Sequence, residues 1–331
     1  MIGAPKAGTS ALHAALAMHP QVFTPRIKEP KYFMCADAPP PAYVGPGDAH
    51  SQQEWVWRRE DYEALFAPAP EGLVRIESTP FYLSLGSARR RIAEELPDAR
   101  FVVVVRDPID RAYSNWMHLW VDGLEPIPDF VEAWHAERDR IRRGWAPFWH
   151  YQRLGRYGEQ LEDLLGLVDR DRVLVIRYWQ LVSEPVSTLD RVAAFIGVEP
   201  DVVTVVPKDN ARGYVQPGPR AAALGRVVRA GAYAGQHVRP EVWRSASRPL
   251  LRVLQHGGPD RRPALAPEVR AALVEEIADD VRLLERVLGE SYADWLAATG
   301  RGSFADRAAQ AGEPADAGSS RGAALPRERA S

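Results

Sequence analysis

The chain has 331 residues, a formal net charge of −2 and one cysteine, Cys35. That length gives room for one large domain or two small ones around a buried core. The charge offers no bulk attraction to nucleic acid, and a lone cysteine excludes an intrachain disulfide framework and fits a reducing compartment. No run approaches 18 apolar residues and no charged leader precedes an apolar segment, so the expectation is a cytoplasmic chain with no transmembrane span and no secretion signal.

The chain opens on "MIGAPKAGTS" (1–10), close to the phosphate-loop pattern G-x-x-x-x-G-K-[ST]. Gly3, Gly8 and Ser10 fit the pattern. Thr9 stands at the lysine position, and Lys6 lies inside the loop. A helix is predicted over 9–20, with Leu12 and Leu16 on one face and Pro20 as its stop. Continuous β-branched runs at 73–77, 101–105 and 172–176 read as buried strands. The segment 107–120 reads as a helix with Asp107 as N-cap and Pro108 in the first turn, and 187–198 as one ending at Gly197. The fold class predicted is α/β: a P-loop-like three-layer fold with a central parallel sheet flanked by helices. Only Met1 and Ile2 precede Gly3, so the first strand is expected to be truncated.

One domain is expected over 1–300, with an Arg-rich helical and loop cover of weak periodicity at 217–263 and a C-terminal helical segment at 266–298. The Ala/Gly/Ser/Arg-rich tail 301–331 is expected to be disordered.

Only four of 42 basic residues are lysines: Lys6, Lys28, Lys31 and Lys208. A chain that uses arginine for generic charge points to its lysines as places where a compact ammonium is needed. The loop glycines, the helix that follows and Lys6 together suit an anion. An ordinary turn capped by Thr9 is the plain alternative. Arg106 ends the valine strand, where a nucleoside-triphosphate site would need an acidic residue for Mg²⁺, so a second anionic group is favoured over a metal. Ser114 follows two turns into the helix. Arg111 is placed to pair with Asp107 one turn earlier. In "PRIKEPKYF" (25–33), Glu29 sits between Lys28 and Lys31 and could act as a general base. The alternative is a solvated loop.

Taken in order, "GAPKAGTSAL", "KEPKYF", "ESTPFYL" and "RDPIDRAYSNW" resemble the motif set of sulfotransferases that use 3′-phosphoadenosine 5′-phosphosulfate (PAPS). The similarity is greatest to bacterial enzymes akin to the heparan-sulfate branch and extends over roughly 3–298. It implies that Lys6, Ala7, Gly8, Thr9 and Ser10 form the 5′-phosphosulfate loop, with Lys6 catalytic. It implies that Arg106 and Ser114 grip the 3′-phosphate, that Glu29 is the catalytic base, and that 208–220, with Arg212 and Gly213, closes over the nucleotide.

The implied reaction needs no metal and no nucleic-acid partner. It delivers a sulfuryl group to a hydroxyl of a small-molecule natural product or a glycoconjugate, leaving 3′-phosphoadenosine 5′-phosphate. Candidate acceptor contacts are Lys28, Lys31, Tyr32, Glu77, Phe81, Tyr82 and Trp116, together with the Pro/Gly-rich loop 36–59. About half of the nearby aromatics are expected to be core. Ser78 departs from the heparan-type pattern, in which a lysine follows this glutamate. That makes a polyanionic glycan less favoured and leaves Glu77 as a rival base. A small-molecule kinase and a non-catalytic nucleotide-binding protein are the competing readings.

Overall fold

Val102 to Val105 follow Phe101 without a polar break, and β-branched side chains suit a pleated strand covered on both faces. The structure, a computed structural model, describes residues 1–207, 214–255 and 263–297. Its strands are β1 (Val22–Phe23), β2 (Val74–Arg75), β3 (Phe101–Val105) and β4 (Val173–Arg177). β3 is buried along its whole length and pairs in parallel with β4, from Phe101↔Val173 to Val105↔Arg177. β1 pairs in parallel with β2.

Met1–Ala4 join the two pairs. The Met1 amine donates to Glu77 O (2.7 Å), Ile2 N to Val102 O (3.0 Å) and Val104 N to Gly3 O (2.8 Å). Gly3 forms a parallel bridge with Val103, so the shortened first strand expected from the sequence is present between β2 and β3. A Cβ on Gly3 would lie 2.4 Å from the Leu83 side chain, which explains the glycine at this closely packed turn.

The helices follow from local rules. Asp107 caps Pro108–Val121 by accepting from Ile109 N (2.9 Å) and Asp110 N (3.1 Å). Pro185–Ile196 ends at Gly197, whose φ of 85° is left-handed. Pro267–Leu288 buries Leu273, Ile277, Val281 and Leu284 and packs on Tyr157–Leu165. There the Asp280 carboxylate accepts from Gly158 N and Glu159 N, each at 3.0 Å, satisfying the start of the neighbouring helix.

One expectation changes. Arg111 does not pair with Asp107. It is fully buried, donating to Asn115 Oδ1 (2.9 Å) and Tyr151 O (2.6 Å), and Arg270 from the Pro267–Leu288 helix takes the Asp107 carboxylate instead. The Arg-rich stretch forms two helices, Pro219–Ala234 and Pro240–Gln255. The first hides its period because it buries mostly small residues: Ala221, Gly225, Val228 and Ala232. The described residues belong to one unit, Met1–Arg301. No helix among them is long and apolar enough to cross a membrane. The expected disordered tail, 301–331, lies outside the described residues.

Candidate functional site

The loop after the first strand turns tightly. Ala7 N returns to Ala4 O (3.2 Å), Lys6 has φ 67° and Gly8 has φ 91°. The helix Thr9–Leu16 starts at once, with Gly8 rather than Thr9 as its N-cap and no side chain capping it. The first amides of a helix have no intrahelical acceptor, so this end presents uncapped N–H groups and a positive dipole end to an anion. Gly8 is required twice over: its φ is left-handed, and a Cβ there would lie 2.8 Å from the Tyr178 ring.

Arg106, at the carboxyl end of β3, reaches the same loop. Its Nη1 donates to Lys6 O at 3.2 Å, and its guanidinium lies 4.8 Å from the centre of the Tyr178 ring. Tyr178, directly after β4, therefore touches both the loop glycine and the strand-end arginine. Sequence reasoning missed it; its only signal is an aromatic residue at the end of a strand. Ser114 is half-buried on the Pro108–Val121 helix.

The "PRIKEPKYF" segment meets the loop from the other side. Lys28 Nζ donates to Ser10 Oγ (3.0 Å) and to Glu29 Oε1 (2.9 Å). The structure thus brings Lys6–Ser10, Arg106, Lys28 and Glu29 together at the carboxyl ends of the strands, where parallel α/β sheets bind ligands. Ser78 is fully buried with its Oγ 2.9 Å from His13 Nδ1. Burial, with Lys28 nearby, pushes the His13 pKa down to about 4. A neutral hydroxyl–imidazole pair thus occupies the site where the heparan-type pattern places a cation.

Other sequence candidates lie elsewhere. Trp116 is 2% exposed, donates to Ile127 O (3.0 Å) and stacks on Trp120 and Tyr113. Tyr32 and Tyr82 are each 1% exposed, with Tyr32 stacked on Tyr62 and the Tyr82 hydroxyl accepting from Phe33 N (3.2 Å). These three are buried in the core: aromatic rings near a cleft and in the core read alike in sequence. Glu77 accepts from Thr79 Oγ1 (2.5 Å), and burial pushes its pKa up to about 7. Lys31 and Phe81 line a cavity of about 150 Å³, together with Trp55 from the 36–59 loop. Arg212 and Gly213 lie outside the described residues.

A larger cavity, about 820 Å³, opens at the opposite end of the sheet, around Met1, Val74, Leu96 and Phe101. It holds none of the loop residues. Glu77 and Tyr82 line this larger cavity, whereas the cations and the helix N-terminus converge at the loop end.

A family model described as the sulfotransferase family matches residues 1–201. Human heparan sulfate glucosamine 3-O-sulfotransferase 6 is 28% identical over 202 residues, 60% of this chain and 52% of its own. Mouse bifunctional heparan sulfate N-deacetylase/N-sulfotransferase 4 is 27% identical over 212 residues, 60% of this chain and 22% of its own. The chain thus spans about half the length of the first relative and less of the second. A sulfotransferase from Alicyclobacillus acidocaldarius has a similar structure, with a TM-score of 0.68 and 26% identity over 89% of this chain and 96% of that one. This chain belongs to the sulfotransferase family.

Proposed function

We propose that the protein transfers a sulfuryl group from PAPS to a hydroxyl of a small molecule or glycoconjugate by in-line displacement. The observation that carries this reading is the convergence of an uncapped helix N-terminus, Lys6, Arg106 and the Lys28–Glu29 pair at one end of the sheet. The residues fit such a donor. The left-handed Gly8 turns the loop so that backbone amides can hold the 5′-phosphosulfate, while Arg106 and Ser114 are assigned to the 3′-phosphate.

In this reading Glu29 takes the proton of the acceptor hydroxyl as its oxygen bonds sulfur. The bond from sulfur to the bridging phosphate oxygen breaks, and its electron pair stays on the phosphate. Lys6 neutralises the charge that appears there, the effective place for a pre-organised cation. The adenosine bisphosphate left behind retains the contacts assigned to Arg106 and the loop.

The test has two arms. Adenosine 3′,5′-bisphosphate should raise the melting temperature well beyond the effect of AMP; equal shifts would remove the 3′-phosphate role of Arg106. Lys6→Met should lower turnover by roughly 10²–10³, or ~3–4 kcal/mol, while nucleotide binding survives. ATP and Mg²⁺ consumption without PAPS dependence would replace this reading with a kinase.

A further inference from the structure

Two residues beyond Glu29, Lys31 enters the cavity of about 150 Å³. Trp55, Phe81, Leu124, Phe148 and Trp149 line it, as do His118 and Asp122. The lining comes from five separate stretches of chain, so sequence order alone does not reveal it.

The walls are fixed in place. The buried Asp48 carboxylate accepts from Trp149 Nε1 (2.9 Å), Gly45 N (2.8 Å) and Ala146 N (2.9 Å), tying the 36–59 loop to the 145–149 turn. Phe81 meets Phe148 edge to face at 5.9 Å, and the His118 ring stands against Phe148 at 5.6 Å. A pocket whose walls are already held loses little freedom when a ligand enters.

Lys31 is the unusual member. Its Nζ lies 5.4 Å from the centre of the Trp55 ring and 5.8 Å from that of Phe81. Its backbone N–H donates to Thr79 Oγ1 at 3.3 Å, while its ammonium stands against the two rings. Burial pushes its pKa down, while Glu29 and Glu54 oppose that shift. Glu29 is itself tied to Lys28 and Glu54 to Arg244 (2.5 Å), so neither partners Lys31. An ammonium held against two ring faces at a ligand-sized cavity suits an anionic oxygen brought by a ligand.

Size narrows the choice further. A cavity of about 150 Å³ holds one benzene-sized ring.

We propose that this cavity is the acceptor subsite and takes a single aromatic ring bearing a carboxylate against Lys31 and the reacting hydroxyl toward Glu29. The proposal rests on the sulfuryl-transfer reading for the role of that hydroxyl, but ring binding itself does not.

The experiment is calorimetric titration of the full chain, without nucleotide, with 3-hydroxybenzoate and with phenol. The wild type should bind 3-hydroxybenzoate roughly tenfold or more tightly than phenol, as a charge-assisted contact implies. Lys31→Met should erase that preference and Lys31→Arg should keep part of it. Leu124→Trp, which fills the cavity, should abolish binding of both while adenosine 3′,5′-bisphosphate still binds. Equal affinity of the wild type for the two ligands would overturn the anionic assignment without any variant. Persistence of binding in Leu124→Trp would overturn the cavity assignment. If the bisphosphate fails to bind while the Lys31-dependent preference stands, the donor reading falls and the subsite remains.

Discussion

Lys28 Nζ stands between two oxygens, Ser10 Oγ at 3.0 Å and Glu29 Oε1 at 2.9 Å, and so ties the proposed base to the proposed donor loop. Its side chain is 25% exposed and that of Glu29 is 29% exposed, so the pair is only partly screened. A charge-assisted bond of this kind is worth ~1.5–3 kcal/mol when well shielded and toward the lower end here. Lys28→Met should therefore lower kcat roughly tenfold with little change in affinity for adenosine 3′,5′-bisphosphate. Lys28→Arg should recover only part, because a flat fork does not reproduce a point charge shared by two oxygens. Steady-state kinetics with full activity in Lys28→Met would show that Glu29 orients itself without this contact.

Gly8 gives a test of two separable penalties. An alanine there would hold φ 91°, at a cost of ~1–2 kcal/mol for an L-residue, and would also press its Cβ to 2.8 Å from the Tyr178 ring. Gly8→Ala should destabilise the fold in urea titration and weaken bisphosphate binding. Combining it with Tyr178→Ala should relieve the steric part and leave the backbone part. A double variant no more stable than the sum of the two single changes would mean that the ring does not press on the loop.

Glu77 makes stability depend on pH. Burial raises its pKa from 4.5 to about 7, so the folded chain keeps a proton that the unfolded chain releases. The folded state binds more protons over this window, and stability falls as pH rises. The contribution is fully present below about pH 4.5 and is lost by about pH 7, a change of roughly 3 kcal/mol. Glu77→Gln should flatten the difference between urea midpoints at pH 5 and pH 8. Parallel pH dependence in wild type and variant would assign the titration to another group.

Glu125 and Arg140 are 0% and 2% exposed and pair at 2.6 Å, with the Tyr151 hydroxyl also donating to Glu125. The Arg140 guanidinium lies 5.3 Å from the ring centres of both Trp145 and Trp149, behind the aromatic wall of the small cavity. Removing one partner strands a buried charge, so Glu125→Ala should cost ~3–5 kcal/mol in chemical denaturation. A cost below ~1 kcal/mol would mean that water reaches the guanidinium once the carboxylate is gone.

Much of the fold was legible because its signals are local. The valine run 102–105, the Asp107–Pro108 cap, the Gly197 stop and the 267–288 helix each depend on a few consecutive residues and their own backbone geometry. The loop glycines and the scarcity of lysine likewise single out Lys6, Lys28 and Lys31 in the sequence. What the tertiary structure decided were relationships across long stretches of chain. Tyr178 covers Gly8, Arg270 rather than Arg111 takes Asp107, and Asp48 holds Trp149 at the wall of the Lys31 cavity. Trp116, Tyr32 and Tyr82 are buried in the core. Local conformation is set by neighbours in sequence, whereas an ion pair, a wall or a cavity is set by which distant surfaces the packing of helices on the sheet brings together.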